Sequence, residues 1–285
     1  MKSDYNISEY ISKLNVEIPP EEEFKKIAQI FKIYPNESKE NALVNYERGM
    51  LLYGLISKYK PKTILEIGRA QGYSTMCMAW ALCENKIDGK IISVDHLSYE
   101  NSIEWLIDWD GKIKTEKKST KQIWSKYAKS DWLEKIIPLT CFSDELLEKE
   151  DLPKFDFGFI DGHHLYEAVL CDFNIFLKNS NKKFHCLFDD YIDDENARMK
   201  QAIDELLIHY PGKIIKTNFN EKAKYLGDLF MCIINNSGSD LDVKFSKEVI
   251  LKYRNIRKRW STRQKLNKIF PPLKRLNIHK IFKKI

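Results

Sequence analysis

Acidic side chains stop at Glu248. All 41 aspartates and glutamates lie at or before that position, whereas thirteen of the 47 lysines and arginines lie after it. The region up to Glu248 therefore holds 34 basic groups against 41 acidic ones, a net charge of about −7, and the overall +6 belongs to the tail. A mildly acidic body excludes a nucleic-acid groove spread over the fold and assigns the positive charge to an appendage. Long apolar runs are also missing, since no stretch approaches the roughly 20 residues that span a bilayer. The opening "MKSDYNISEYISKLNVEIPPEEE" has no apolar h-region and no small-residue cleavage site, so no secretory signal is expected. Cys77, Cys83, Cys141, Cys171, Cys186 and Cys232 form no CxxC pair and sit mostly in apolar patterns. They read as small buried thiols in a reducing, cytoplasmic setting. There is no internal repeat.

What is present is enough apolar material for a large core: 43% hydrophobic and 12% aromatic residues in a chain of 285. Residues 5 to 60 read as mostly helical. Apolar strands then alternate with helices: "KTILEIG", "GKIISVD", "EKIIPLT", "FDFGFID" and "KFHCLFDD" are strands, and "YSTMCMAWALCEN", "LYEAVLCDFNIFLK" and "DENARMKQAIDELLIHY" are helices. "GKIIKTN" and "GDLFMCIIN" close the series with no long helix between them, which predicts an antiparallel pair at one edge. Continuous apolar strands alternating with helices predict an α/β, doubly wound, mostly parallel seven-stranded sheet covered on both faces. The expected organisation is an N-terminal helical extension over 1–45, the sheet domain over 46–236 and a basic helical extension over 243–285. The lysine-rich segment 98–134, with Trp105, Trp109, Trp124 and Trp132, is too long for a plain crossover. It reads equally as a lid or as a decorated helix whose tryptophans pack on the body.

In doubly wound sheets, ligands bind outside the carboxyl ends of the strands. "LEIGRAQGYS" lies at such an end, where Gly68 and Gly72 let the backbone turn tightly at a helix N-terminus. Glu66 stands where a dinucleotide fingerprint would begin with glycine, and it suits an amino-bearing or cationic ligand better than a pyrophosphate. Asp95 closes the next strand and is placed to accept from ribose hydroxyls. In "FIDGHHLYE", Asp161 ends a strand, Gly162 turns, and His163 and His164 follow. Asp189 and Asp190 end the next strand. Carboxylates at adjacent strand ends repel unless a cation joins them, and hard oxygen ligands suit Mg²⁺ or Mn²⁺. The bland alternative is a set of solvated loop acids capping the helices that follow.

"LEIGRAQGYS", "ISVD" and "FIDGHHLYEAVLCD", with the later "DDY", resemble the class I S-adenosylmethionine-dependent methyltransferases. The likeness is to the metal-dependent O-methyltransferases akin to macrocin O-methyltransferase, with catechol O-methyltransferase more distant, and it covers roughly residues 45 to 235. The resemblance implies that Glu66, Gly68, Gly72, Tyr73 and Ser74 cradle the methionine part of the cofactor. It implies Asp95 on the ribose, His96 beside the adenine, and Phe142 and Ser143 flanking it. It further implies a divalent cation, Mg²⁺ or Mn²⁺, on Asp161, Asp189 and Asp190, with His164 as general base. Imidazole is suited to take a proton from a metal-acidified hydroxyl. His163 is the alternative base, because adjacent side chains diverge. The implied acceptor is a sugar hydroxyl on a glycan or glycosylated metabolite, with a catechol-like phenol, or a hydroxylase-like metal-binding relative on the same fold, as alternatives.

The tail "PPLKRLNIHKIFKKI" opens with a proline-set helix entry and places Ile278, Ile281, Phe282 and Ile285 at helical spacing. Tyr253, Ile256 and Trp260 repeat the pattern upstream. It reads as a basic amphipathic helix for an anionic membrane surface at the inner membrane face, or as a helix docked on its own body. No nucleic-acid partner is expected.

Overall fold

The structure is a computed structural model that describes residues 3–31, 46–109, 112–149, 151–191, 198–217, 230–238 and 247–269. Its first compact unit, Met1–Lys244, is built on one sheet. The strands are β1 (Tyr5–Asn6), β2 (Thr63–Ile67), β3 (Lys90–Asp95), β6 (Ile136–Thr140), β7 (Phe155–Ile160), β8 (Ser180–Phe188), β9 (Gly212–Lys216) and β10 (Phe230–Ser237). They are ordered β1-β9-β10-β8-β7-β2-β3-β6. Pairs β2–β3, β2–β7, β3–β6 and β7–β8 are parallel, whereas β10 runs antiparallel to both β8 and β9. The antiparallel β9–β10 pair stands where the sequence places it.

The sheet has eight strands rather than seven. Tyr5 and Asn6 pair in parallel with Ile215 and Lys216, so the chain preceding the first helix extends the outer edge. A two-residue strand is too short to show an alternation of side chains, so the sequence pattern carries no trace of it. The Asn6 side chain then accepts from Ser8 N at 3.0 Å and starts α1 (Ile7–Leu14), which ends at Asn15 in the left-handed conformation.

Helices α1, α2 (Glu21–Phe31), α3 (Tyr46–Tyr59) and α4 (Tyr73–Glu84) share one continuous core with Ile64, Ile91, Phe157, Phe159 and Leu187 of the sheet. On α7 (Tyr166–Lys178), which packs against α8 (Met199–Leu207), Phe173 lies within 5.4–6.3 Å of the rings of Phe176, Phe184, Phe188 and Tyr210. Such tilted and edge-on ring pairs add to area burial.

Segment 98–134 resolves the two readings in favour of packing. It forms a separate hairpin of β4 (Ser102–Trp109) and β5 (Lys112–Ser119), then α5 (Thr120–Tyr127) and α6 (Ser130–Glu134). Trp105, Trp124 and Trp132 are buried in the main core; the side chain of Trp109 lies outside the described residues. Ser119 and Gln122 close a capping box that fixes the start of α5.

The second unit, Phe245–Ile285, contains α9 (Lys247–Ile269). Its apolar residues Val249, Tyr253 and Ile256 recur at helical spacing. The expected amphipathic segment 271–285 lies outside the described residues. Among the described residues no helix is long and apolar enough to cross a membrane.

Phe173→Ala is expected to lower the unfolding free energy by about 3–5 kcal/mol in denaturant titration, the usual cost of emptying a buried phenylalanine site.

Candidate active site

Three strand ends build the site. After β2, Gly68 adopts φ +94° and donates to Val94 O at 2.9 Å. An ideal Cβ there would overlap the carbonyl oxygen of Asp161. The glycine therefore serves a close crossing with the loop after β7 as well as a tight turn. Gly72, φ +103°, is the N-cap of α4, and a Cβ there would run into the ring of Trp124. That indole donates from Nε1 to Gln71 O at 3.0 Å and roofs the glycine loop. Tyr73 and Ser74 open α4, both buried, with the Tyr73 hydroxyl donating to Tyr46 O at 2.8 Å.

Glu66 is fully buried. Its Oε2 accepts from Thr75 Oγ1 at 2.7 Å and from the Ser93 hydroxyl, while its Oε1 is buried with no hydrogen-bond partner among the described residues. Burial pushes its carboxyl up to about 7, against the two hydroxyl bonds. Its Oε1 is the atom that could accept from the ammonium end of a methionine moiety, whose charge would favour the ionised carboxylate. Asp95 bridges its own loop and the glycine loop: Oδ2 accepts from Ala70 N and Oδ1 from Leu97 N, both at 2.7 Å, and His96 Nδ1 lies 3.2 Å from Oδ1. Burial opposes its ionisation, but those three donors outweigh it and hold the carboxyl below its ordinary range. The rings of His96 and Phe142 stack on each other, 5.3 Å between centroids and 11° from parallel, forming one aromatic face rather than two walls. Ser143 is buried next to them.

Arg69 carries no role in the sequence reading, yet it pins this region. Its guanidinium is buried and donates to Ser93 O at 3.0 Å, Leu97 O at 3.0 Å and Leu139 O at 3.3 Å, joining the ends of β3 and β6 to the glycine loop.

At the ends of β7 and β8 the expected trio of carboxylates is rearranged. Arg48, from the first turn of α3, donates from Nη1 to Asp161 Oδ2 at 3.0 Å and pairs through Nη2 with Asp189. The cation that three clustered acids demand is thus supplied in part by the chain itself. His164 Nε2 lies 3.1 Å from Asp190 Oδ2 and 3.7 Å from Asp161 Oδ1. The ligating atoms of Asp161, His164 and Asp190 fall within 4.8 Å of one another, and Asp189 is not in that set. Two carboxylates and an imidazole fit a divalent cation of the Mn²⁺ type.

The pairing also redistributes the histidine roles. The Asp161 carboxylate and the charges of Asp190 and Asp189 raise His164 to about 9, against partial desolvation, which favours the imidazolium at neutral pH in the ion-free cluster. His163 is held below 6.5 by burial and by the neighbouring His164 and His96, so it is neutral. A small pocket at the loop is lined by Asp161, His163, His164 and Asp190 together with the apolar Ile160, Val169 and Phe188.

Residues 65–191 match the family described as methyltransferase domain, a span that brackets every candidate cofactor and cation residue. Over 178 residues the chain is 26% identical to an uncharacterised protein of Acanthamoeba polyphaga mimivirus, covering 62% of this chain and 70% of that one. Among solved structures, it is similar to an O-methyltransferase from Bacillus cereus in complex with SAH, at 17% identity and TM-score 0.52, covering 81% of this chain and 96% of that one. It is also similar to TomG of Streptomyces achromogenes, an O-methyltransferase involved in tomaymycin synthesis and solved with SAM. There the identity is 19% and the TM-score 0.52, over 84% of this chain and all of that one. The fold is therefore that of the class I methyltransferases. Residues 65–191 carry the match to the methyltransferase domain.

Two outcomes are expected. Gly68→Val should displace the Asp161 loop as well as the cofactor loop, so calorimetry should show loss of S-adenosylmethionine binding together with a lower melting temperature; unchanged values for both would contradict the crossing. His164 has a folded pKa of about 9, above its ordinary 6.5. Its pairing should therefore stabilise the ion-free fold fully below about pH 6.5 and fade as pH rises through about 9. Denaturation between pH 6 and 10 should show wild type losing stability relative to His164→Gln over that window; parallel curves would refute the pairing.

Proposed function

We propose that this chain moves a methyl group from S-adenosylmethionine to a hydroxyl oxygen, assisted by a divalent cation on Asp161, His164 and Asp190. The observation that carries the reading is the convergence of those three ligating groups at the ends of β7 and β8. Two of them, Asp161 and His164, lie in the loop after β7 that Gly68 presses against the cofactor turn. A cation bound there acidifies the acceptor hydroxyl and orients it. Glu66 holds the amino group of the donor, Gly68 and Gly72 shape the turn around its methionine part, and His163 receives the hydroxyl proton as the methyl carbon passes from the sulfonium sulfur to oxygen and S-adenosylhomocysteine is released. Holding donor and acceptor in line supplies much of the acceleration.

For the acceptor, a sugar hydroxyl follows from the resemblance of the "FIDGHHLYEAVLCD" motif. A catechol-like phenol is the second reading, since its paired hydroxyls would suit a bound divalent cation equally. The basic tail binds an anionic membrane surface in this proposal. Over Lys247–Ile269 it carries nine lysines and arginines against one glutamate. Near anionic lipid, each basic residue is worth about 1 kcal/mol.

Methyl transfer from labelled donor to a panel of vicinal sugar diols and catechols tests both parts. Chelator, like Asp161→Asn, should cut transfer by at least about 100-fold, in line with the several kcal/mol a bound cation supplies, while donor affinity stays unchanged. Full transfer in excess chelator would remove the cation from the proposal. Flotation with anionic vesicles should be lost on truncation after Glu248; equal flotation of the truncated protein would end the membrane reading.

A further inference from the structure

The ion pairs of Arg48 divide the acids of this site into two groups. Asp189 is buried, and its carboxylate is taken by the Arg48 guanidinium. Asp161 is shared, with Oδ2 facing Arg48 at 3.0 Å and Oδ1 facing His164 at 3.7 Å. Asp190 turns to His164 alone of these two cations, at 3.1 Å. We infer that Arg48 withdraws Asp189 from the ligand set and thereby decides which divalent cation the cluster takes. The inference rests on the reading of the cluster as a cation site.

Charge supports this arrangement. Three carboxylates, one guanidinium, one divalent cation and a neutral imidazole sum to zero. The same site without the guanidinium keeps a net charge of −1. Breaking the Arg48 pairs to free Asp189 for the cation would take both Asp161 and Asp189 from a mostly buried guanidinium, which is strongly unfavourable. Arg48 therefore stays in place when the cation enters from the side of Asp161 Oδ1, Asp190 and His164. Ligand chemistry then gives the consequence. Two carboxylates and an imidazole favour Mn²⁺, while three carboxylates with open water positions would suit Mg²⁺. Arg48 is in this sense a positioning residue: it acts through which acids remain available.

The test is direct Mn²⁺ binding to the full chain, read by electron paramagnetic resonance, with Mg²⁺ as competitor and no turnover needed. Wild type and Asp189→Asn are expected to bind Mn²⁺ within about threefold of each other, a difference under 1 kcal/mol, whereas Asp161→Asn loses the ion. Arg48→Met is expected to shift the balance toward Mg²⁺ by at least about tenfold, the scale on which supporting contacts tune a site. Loss of Mn²⁺ in Asp189→Asn as complete as in Asp161→Asn would make Asp189 a ligand and overturn the inference while leaving the cation site standing. An unchanged Mg²⁺ to Mn²⁺ ratio in a folded Arg48→Met protein would overturn it too. If Arg48→Met does not fold, the comparison of the two aspartate variants decides alone. A wild-type protein that binds no Mn²⁺ removes the cation site and this inference with it.

Discussion

The crossing of Gly68 over the carbonyl of Asp161 is the contact on which the site depends. Backbone bonds climb from strand end to strand end: Asp161 N donates to Ile67 O at 2.8 Å, and Asp189 N donates to Ile160 O at 3.1 Å. Each loop therefore leaves the sheet from a fixed height relative to its neighbour. A side chain at position 68 would force the β2 and β7 loops apart, and the distance between donor turn and acid loop would no longer be set by the sheet. Position 68 is in this respect a spacer of zero length. The positive φ alone would admit an occasional asparagine; the overlap with backbone does not.

Around this crossing the protein brings charges together and neutralises them with side chains from distant segments. Arg48 reaches Asp161 across 113 residues of sequence. Arg69 is a buried cation held by carbonyls rather than by a carboxylate within ion-pair distance among the described residues. Both lie outside the reacting centre, and both fix the loops that form it. Buried guanidinium groups suit this task because their planar donors meet several acceptors at once.

Much of the fold was legible because it depends on local periodicity. The apolar strands and the amphipathic helices between them announce a parallel sheet, and the short link between "GKIIKTN" and "GDLFMCIIN" announces the antiparallel pair. The acids and glycines at strand ends were legible for the same reason: a strand pattern says where its carboxyl end falls. The partners of those groups were not. Nothing near "YERGM" marks Arg48 as the neighbour of Asp161 and Asp189, because their proximity arises only when α3 packs beside the sheet. The roofing of Gly72 by Trp124 likewise depends on a hairpin and two helices folding back over the loop. His164 shows the limit most plainly. Its place in the motif suggested a base, but its protonation is set by Asp161, Asp190 and Asp189, two of which lie on another strand end.

The eighth strand has a consequence for the order in which the molecule can be completed. Asp4 and Ile214 exchange two hydrogen bonds at 2.8 Å across 210 residues of sequence. During synthesis β1 is made long before its partner β9, which is itself paired with β10, ending at Ser237. The strand must therefore wait for that partner until the rest of the sheet has left the ribosome. Closing so long a loop is entropically slow and comes late. The N-terminal segment acts as a latch fastened last: a nascent chain truncated before Gly212 has nowhere to put it, and only the finished sheet can hold it.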